Sequence, residues 1–163
     1  MQVLVNGIIK ESIVDGPGMR YVIFTQGCPH FCKGCHNPET HAFDKGYYLK
    51  FSDILDYIKK DPLNDGVTLS GGEPMMQAEI LVPLAREIKN LGKSIMIYSG
   101  FTYEEIITKP HMKELLSYCD ILVDGKFIEE QKSLLLTFRG STNQRVIDVQ
   151  KTIKTNEIII KEF

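Results

Sequence analysis

The chain has 163 residues, 43% of them hydrophobic and 25% charged, with a net charge of −2. That size suits one soluble domain, residues 1–163, with enough apolar mass for a sizeable core. The charge balance argues against nucleic acid or an anionic membrane surface as partner, and no apolar run is long enough to span a bilayer. The opening residues, Met1-Gln-Val-Leu-Val-Asn-Gly, lack the basic and long apolar regions of a signal peptide, so a cytoplasmic location is expected.

In chain order, Met1–Lys10 carries Val3, Leu4, Val5, Ile8 and Ile9 and predicts a short strand or extended arm. Asp15-Gly16-Pro17-Gly18 is a turn cluster. Arg20–Thr25 is β-branched and aromatic, which predicts a strand ending just before Gly27. Phe51–Ile58 has apolar residues at helical spacing, with Ser52 as expected N-cap. Gly66–Leu69 predicts a buried strand, followed at once by Ser70-Gly71-Gly72-Glu73-Pro74. Ala78–Leu91 predicts a helix that Gly92 ends. Ser94–Tyr98 predicts a strand running into Ser99-Gly100. Tyr103–Ile107 and Met112–Tyr118 predict helical pieces separated by Pro110, and Ile121–Val123 a strand ending in Asp124-Gly125-Lys126. Glu157–Glu162, around Ile158–Ile160, predicts a terminal strand. Strands alternating with helices imply parallel βαβ units, hence an α/β fold. The chain is too short for eight such units. A curved, incomplete β/α barrel with mostly parallel strands is expected, its site on the edge where strands end.

Three cysteines lie within eight residues: Cys28-Pro-His-Phe-Cys32-Lys-Gly-Cys35. In a cytosolic chain such crowding reads as metal binding rather than disulfides. A structural zinc site needs four closed ligands, and His30 or His36 would have to complete it. An ordinary iron–sulfur cluster also takes four thiolates. Three thiolates on one loop can hold a four-iron cluster and leave one iron open for an external ligand. The fourth cysteine, Cys119, lies at a helix-to-strand junction and is expected to pack as a small hydrophobe. In Gly71-Gly72-Glu73-Pro74 the glycines permit close backbone approach, and Glu73 suits pairing with an ammonium; a plain strand–helix turn is the bland alternative. Tyr98-Ser99-Gly100 is either pocket wall or turn. Arg20 and Arg139 suit a carboxylate of ligand or partner, or surface pairing. His41 and His111 bear no spacing relation to the cysteines and are expected to be surface or structural.

Cys-x3-Cys-x2-Cys after one strand and Gly-Gly-Glu-Pro after the next resemble the radical S-adenosylmethionine superfamily. Asp15-Gly16-Pro17-Gly18-Met19-Arg20 resembles a motif of glycyl-radical-enzyme activases. Asp124-Gly125-Lys126-Phe127 and Arg139-Gly140-Ser141-Thr142-Asn143-Gln144-Arg145 resemble the C-terminal part of the activases of anaerobic ribonucleotide reductases. The resemblance spans nearly the whole chain. It implies a partial radical-SAM barrel in which Cys28, Cys32 and Cys35 ligate a 4Fe-4S cluster. It implies S-adenosylmethionine as the external ligand, held by Gly71, Gly72 and Glu73, with Gly34, Cys35, His36, Asp124 and Lys126 also facing it. Gly34 stands where many members carry an aromatic residue near the adenine, a departure the reductase activases share. The implied chemistry begins with an electron passing from the reduced cluster to the sulfonium. The products are methionine and a 5′-deoxyadenosyl radical, which takes a hydrogen atom from a backbone glycine of the anaerobic ribonucleoside-triphosphate reductase large subunit. A one-electron reductant is a further implied partner, and no side-chain base is nominated. The segment Cys35-His36-Asn37 is similar to the pyruvate formate-lyase activase, which keeps a sister activase as the alternative.

Overall fold

The computed structural model describes all of residues 1–163. Its strands are β1 (Gln2–Ser12), β2 (Arg20–Thr25), β3 (Tyr47–Lys50), β4 (Gly66–Gly71), β5 (Ser94–Tyr98), β6 (Ile121–Asp124) and β7 (Arg145–Asp148). They form one sheet in the order β3-β1-β2-β4-β5-β6-β7. The central strands β2, β4, β5 and β6 are mutually parallel. β1 runs antiparallel to β2 and to β3, and β7 antiparallel to β6. β3 therefore points the same way as the central four. Both edges stay open, so this is the expected α/β architecture with mostly parallel strands, and not a closed barrel.

The helices are α1 (Phe51–Lys60), α2 (Ala78–Asn90), α3 (Tyr103–Ile106), α4 (Pro110–Ser117) and α5 (Val149–Thr155). The helices pack together on one face of the sheet. Their buried residues, including Ile54, Leu81, Ile88, Ile106, Leu115 and Val149, join Tyr21, Ile23, Val67, Ile95 and Leu122 in one core. Strand alternation puts Met96, Ile121, Val123 and Val146 on the opposite face, in a far smaller cluster. That second face, short of apolar cover, is the one that lines a cavity.

Five differences from expectation appear. Ser52 is not the N-cap of α1: Lys50 takes that position, and no side chain caps the helix, because the helix begins directly at the end of β3. β3, β7 and α5 were not expected. The terminal segment makes only an isolated bridge, Ile147 to Ile160, instead of a strand. Elsewhere the agreement is close: β2 and β5 have the expected bounds, and Gly92 follows α2 with φ +75°.

Arg20 lies neither on the surface nor near the cysteines. It is buried at the start of β2 and donates to Thr68 Oγ1 at 2.8 Å, Val67 O at 2.9 Å, Ser94 Oγ at 2.8 Å and Pro17 O at 3.1 Å. It thereby fastens the starting ends of β2, β4 and β5, opposite the edge that carries the cysteine loop.

Candidate active site

The parallel strands end on one edge, and a cavity of about 630 Å³ lies there against the helix-free face, within the range of ligand pockets. Phe24, Ser70, Tyr98 and Val123 form its floor, one from each central strand. All three loop cysteines line it, as do His36, Gly71, Gly72, Ser99, Gly100 and Arg139. The fold therefore brings the three cysteines and the glycine turn to one cavity.

None of the four cysteines is in a disulfide. Burial pushes the Cys28 thiol up to about 11, with the His30 backbone N–H opposing and the neighbouring Glu73 reinforcing. Burial also raises Cys32, against the Phe127 N–H and the positive charge of Lys126. Cys35 Sγ faces the Asn37 N–H at 3.5 Å and His41 Nε2 at 3.4 Å. His41 therefore has a cysteine partner that its sequence position did not suggest. Donors turned toward sulfur in this way support a metal-bound thiolate.

The three loop thiols line the cavity with no disulfide among them, and this donor set fits an iron–sulfur cluster. Three cavity-facing thiols spread along one loop suit a larger iron–sulfur unit.

The glycine turn is shaped by backbone proximity. Gly71 has φ +99°, and a Cβ there would lie 2.4 Å from Thr25 N. A Cβ on Gly72 would lie 2.5 Å from Gly27 O and 2.8 Å from Thr40 O. The turn is sealed by Gly72 N–H to Thr25 O (2.9 Å) and Glu73 N–H to Gly27 O (2.8 Å). The glycines therefore let the end of β4 lie flat under the cysteine loop.

Other expected ligand-facing residues lie elsewhere. Glu73 is turned inward and fully buried, so no face of its carboxylate is presented to an ammonium in the cavity. Gly34 is off the cavity wall, against Glu129. Asp124 is buried and accepts Tyr103 N–H at 2.8 Å and Arg145 Nε at 3.1 Å, with a second bond from Arg145 Nη2. Lys126 is exposed and borders a neighbouring polar recess with Glu104, Asn143 and Arg145. Arg139 reaches the wall, but its Nη1 donates to Thr142 O (3.0 Å) and Gln144 O (2.7 Å). Its segment is self-bonded: Gln144 Oε1 accepts the Gly140 and Ser141 N–H groups, while Gln144 Nε2 donates to Gly125 O at 2.9 Å. Asn143 Nδ2 donates to Lys126 O at 2.8 Å. The Arg139–Arg145 motif is thus a rigid cavity wall fixed to the end of β6. Cys119 is buried in the helix-side core, where its Sγ–H donates to Leu115 O at 3.4 Å, the packing role expected of it. His111 is exposed, 3.7 Å from Glu79. No helix is long and apolar enough to cross a membrane.

Known proteins align with this arrangement. A family model described as "4Fe-4S single cluster domain" matches residues 14–147. The anaerobic ribonucleoside-triphosphate reductase-activating protein of Haemophilus influenzae is 35% identical over 143 residues, covering 82% of this chain and 90% of that protein. Its namesake from Vibrio cholerae is 39% identical over 141 residues, with the same coverage. The pyruvate formate-lyase-activating enzyme of Listeria monocytogenes is 34% identical over 163 residues, but the match takes in only 64% of that enzyme. On sequence identity along almost the whole of its relatives, and on the cluster domain that holds the three cysteines, the chain belongs to the anaerobic ribonucleoside-triphosphate reductase-activating protein family.

Proposed function

We propose that this protein is the activating enzyme of an anaerobic ribonucleoside-triphosphate reductase and places a glycyl radical on the large subunit of that partner. The observation that carries the proposal is the convergence of three unpaired thiols and the Gly71–Gly72 strand end on one cavity. When bound, a reduced 4Fe-4S cluster and S-adenosylmethionine supply the one-electron chemistry, which is the cofactors' own.

The protein's part is placement. Cys28, Cys32 and Cys35 are the cluster ligands. Gly71 and Gly72 leave the end of β4 bare of side chains beside those thiols, so that backbone groups face the methionyl part of the ligand. His36 and Tyr98 border the same space. Asp124 and Glu73 hold the walls in place from behind, and the Lys126 carbonyl accepts from Asn143 Nδ2. Holding reactants at fixed separation replaces a diffusive encounter with a local one. A one-electron reductant completes the system. Four unpaired thiols suit a reducing compartment, which supports a cytoplasmic location. The balanced net charge of −2 supports a protein partner over nucleic acid or membrane. Residues 1–163 act as one unit around the single sheet.

Pyruvate formate-lyase is the second partner to consider, favoured by the Listeria match. Coverage of 90% of the reductase activases against 64% of that enzyme favours the reductase. The test is anaerobic reconstitution with iron and sulfide, then S-adenosylmethionine and a reductant. Formation of 5′-deoxyadenosine is expected, with a glycyl radical signal on added reductase. Absence of both, or the signal only on a formate-lyase, would overturn the assignment.

A further inference from the structure

His30 sits inside the cysteine loop, midway between Cys28 and Cys32, yet its side chain turns away from solvent and is only 6% exposed. Its Nε2 lies 2.6 Å from Glu73 Oε1. The same carboxylate accepts Ser99 Oγ–H at 3.0–3.1 Å, the Gly100 N–H at 2.7 Å and the Met75 N–H at 3.0 Å. The carboxylate already serves as acceptor for two backbone N–H groups, and His30 Nε2–H is assigned as a further donor to it. The imidazole also meets the Phe101 ring edge-on, with centroids 4.6 Å apart. Gly100 leaves room for it: a Cβ there would lie 2.4 Å from the His30 ring. One buried carboxylate thus joins three separate elements, namely the cysteine loop, the turn after β4 and the turn after β5.

We propose that His30 is a positioning residue that fixes the cysteine loop, through Glu73, in register with the ends of β4 and β5. This rests on reading the three cysteines as cluster ligands. The connection uses none of the three thiols, which stay free to line the cavity. Glu73 is then the hub of the site and not its ligand contact. Partners of this indirect kind commonly change metal affinity by about 10–100-fold when removed.

The test uses His30→Phe, which keeps a ring but deletes the donor, and His30→Gln, whose amide N–H stands in for Nε2–H. In His30→Phe, release of iron to a chelator from the reconstituted protein should be about tenfold faster or more. Hydrogen exchange across residues 27–35 of the metal-free protein should speed up as well, while β4 and β5 keep their protection. His30→Gln should recover most of both. Unchanged iron release and unchanged loop exchange in His30→Phe would overturn the proposal. Should His30→Phe fail to fold, exchange in the unaltered metal-free protein decides. Residues 27–31 are expected to exchange well below free-chain rates, and free-chain exchange there would overturn it. If the unaltered protein takes up zinc and no sulfide, the cluster reading fails instead, a result that the exchange data do not share.

Discussion

Asp124 tests whether a motif residue at a strand end serves the ligand or the fold. Its carboxylate is 1% exposed and accepts three bonds: one from the N-terminus of α3 at Tyr103, and two from Arg145 of the adjacent β7. Asp124→Ala leaves the Tyr103 N–H and one edge of the guanidinium without partners. Deleting one member of a buried pair costs about 3–5 kcal/mol. Two features lower that here. Arg145 is 32% exposed, and its two Nη atoms keep Glu104 at 3.1 and 2.7 Å. The expected loss is therefore about 2–3 kcal/mol, which for a chain of this length lowers the unfolding midpoint by roughly 5–10 °C. Thermal unfolding of the metal-free protein, followed by circular dichroism, measures it. Affinity for S-adenosylmethionine in the reconstituted variant, compared below the new midpoint, should fall only slightly. An unchanged midpoint with a large loss of affinity would refute the reasoning and restore Asp124 as a ligand contact.

Replacing Cys28, Cys32 or Cys35 by Ala should abolish uptake of iron and sulfide, measured per chain. Cys119→Ala should keep the full complement and lose roughly 1 kcal/mol of stability in denaturant unfolding. In Gly72→Ala the new methyl meets two backbone carbonyls, Gly27 O and Thr40 O; neither can rotate aside, so about 1–3 kcal/mol of stability should be lost, with weaker cluster retention by absorbance. Glu104 titrates below the usual carboxylate range because Arg145 hydrogen-bonds its charged form. A depressed folded value means that its stabilisation is present above the unfolded pKa of about 4.3 and disappears as pH falls through the folded value. The gap in midpoint between the unaltered protein and Glu104→Gln should therefore be present at neutral pH and close in acid.

What the sequence discloses here depends on how far apart the interacting residues are. β2 and β5 were legible because each is a continuous, largely buried run rich in β-branched and apolar residues. The grouping of the three cysteines was legible because they lie within eight residues. β3 was not, because Tyr47, Tyr48 and Lys50 are exposed, and only antiparallel pairing with β1 makes a strand of them. β7 and α5 are short and owe their existence to β6, whose Asp124 pairs with Arg145. The Arg139–Arg145 segment could be matched to a family but not explained, since its bonds to Gly125 and Lys126 cross 17 to 19 residues.

Glu73 shows where motif reasoning stops. Its position after two glycines at a strand end suggests a group offered to a ligand, and nothing within ten residues says otherwise. The partners that turn it inward, His30 and Ser99, are 43 and 26 residues away. A carboxylate that already accepts from His30, Ser99, Gly100 and Met75 has little capacity left for an ammonium, and turning it outward would leave four buried donors unpaired. The same residue at the same place in the motif is accounted for by its bonds within the fold, which tie the cysteine loop to the ends of β4 and β5. A motif identifies residues that cannot be exchanged freely; the pairing across the fold decides whether the cause is the ligand or the loop that must meet it.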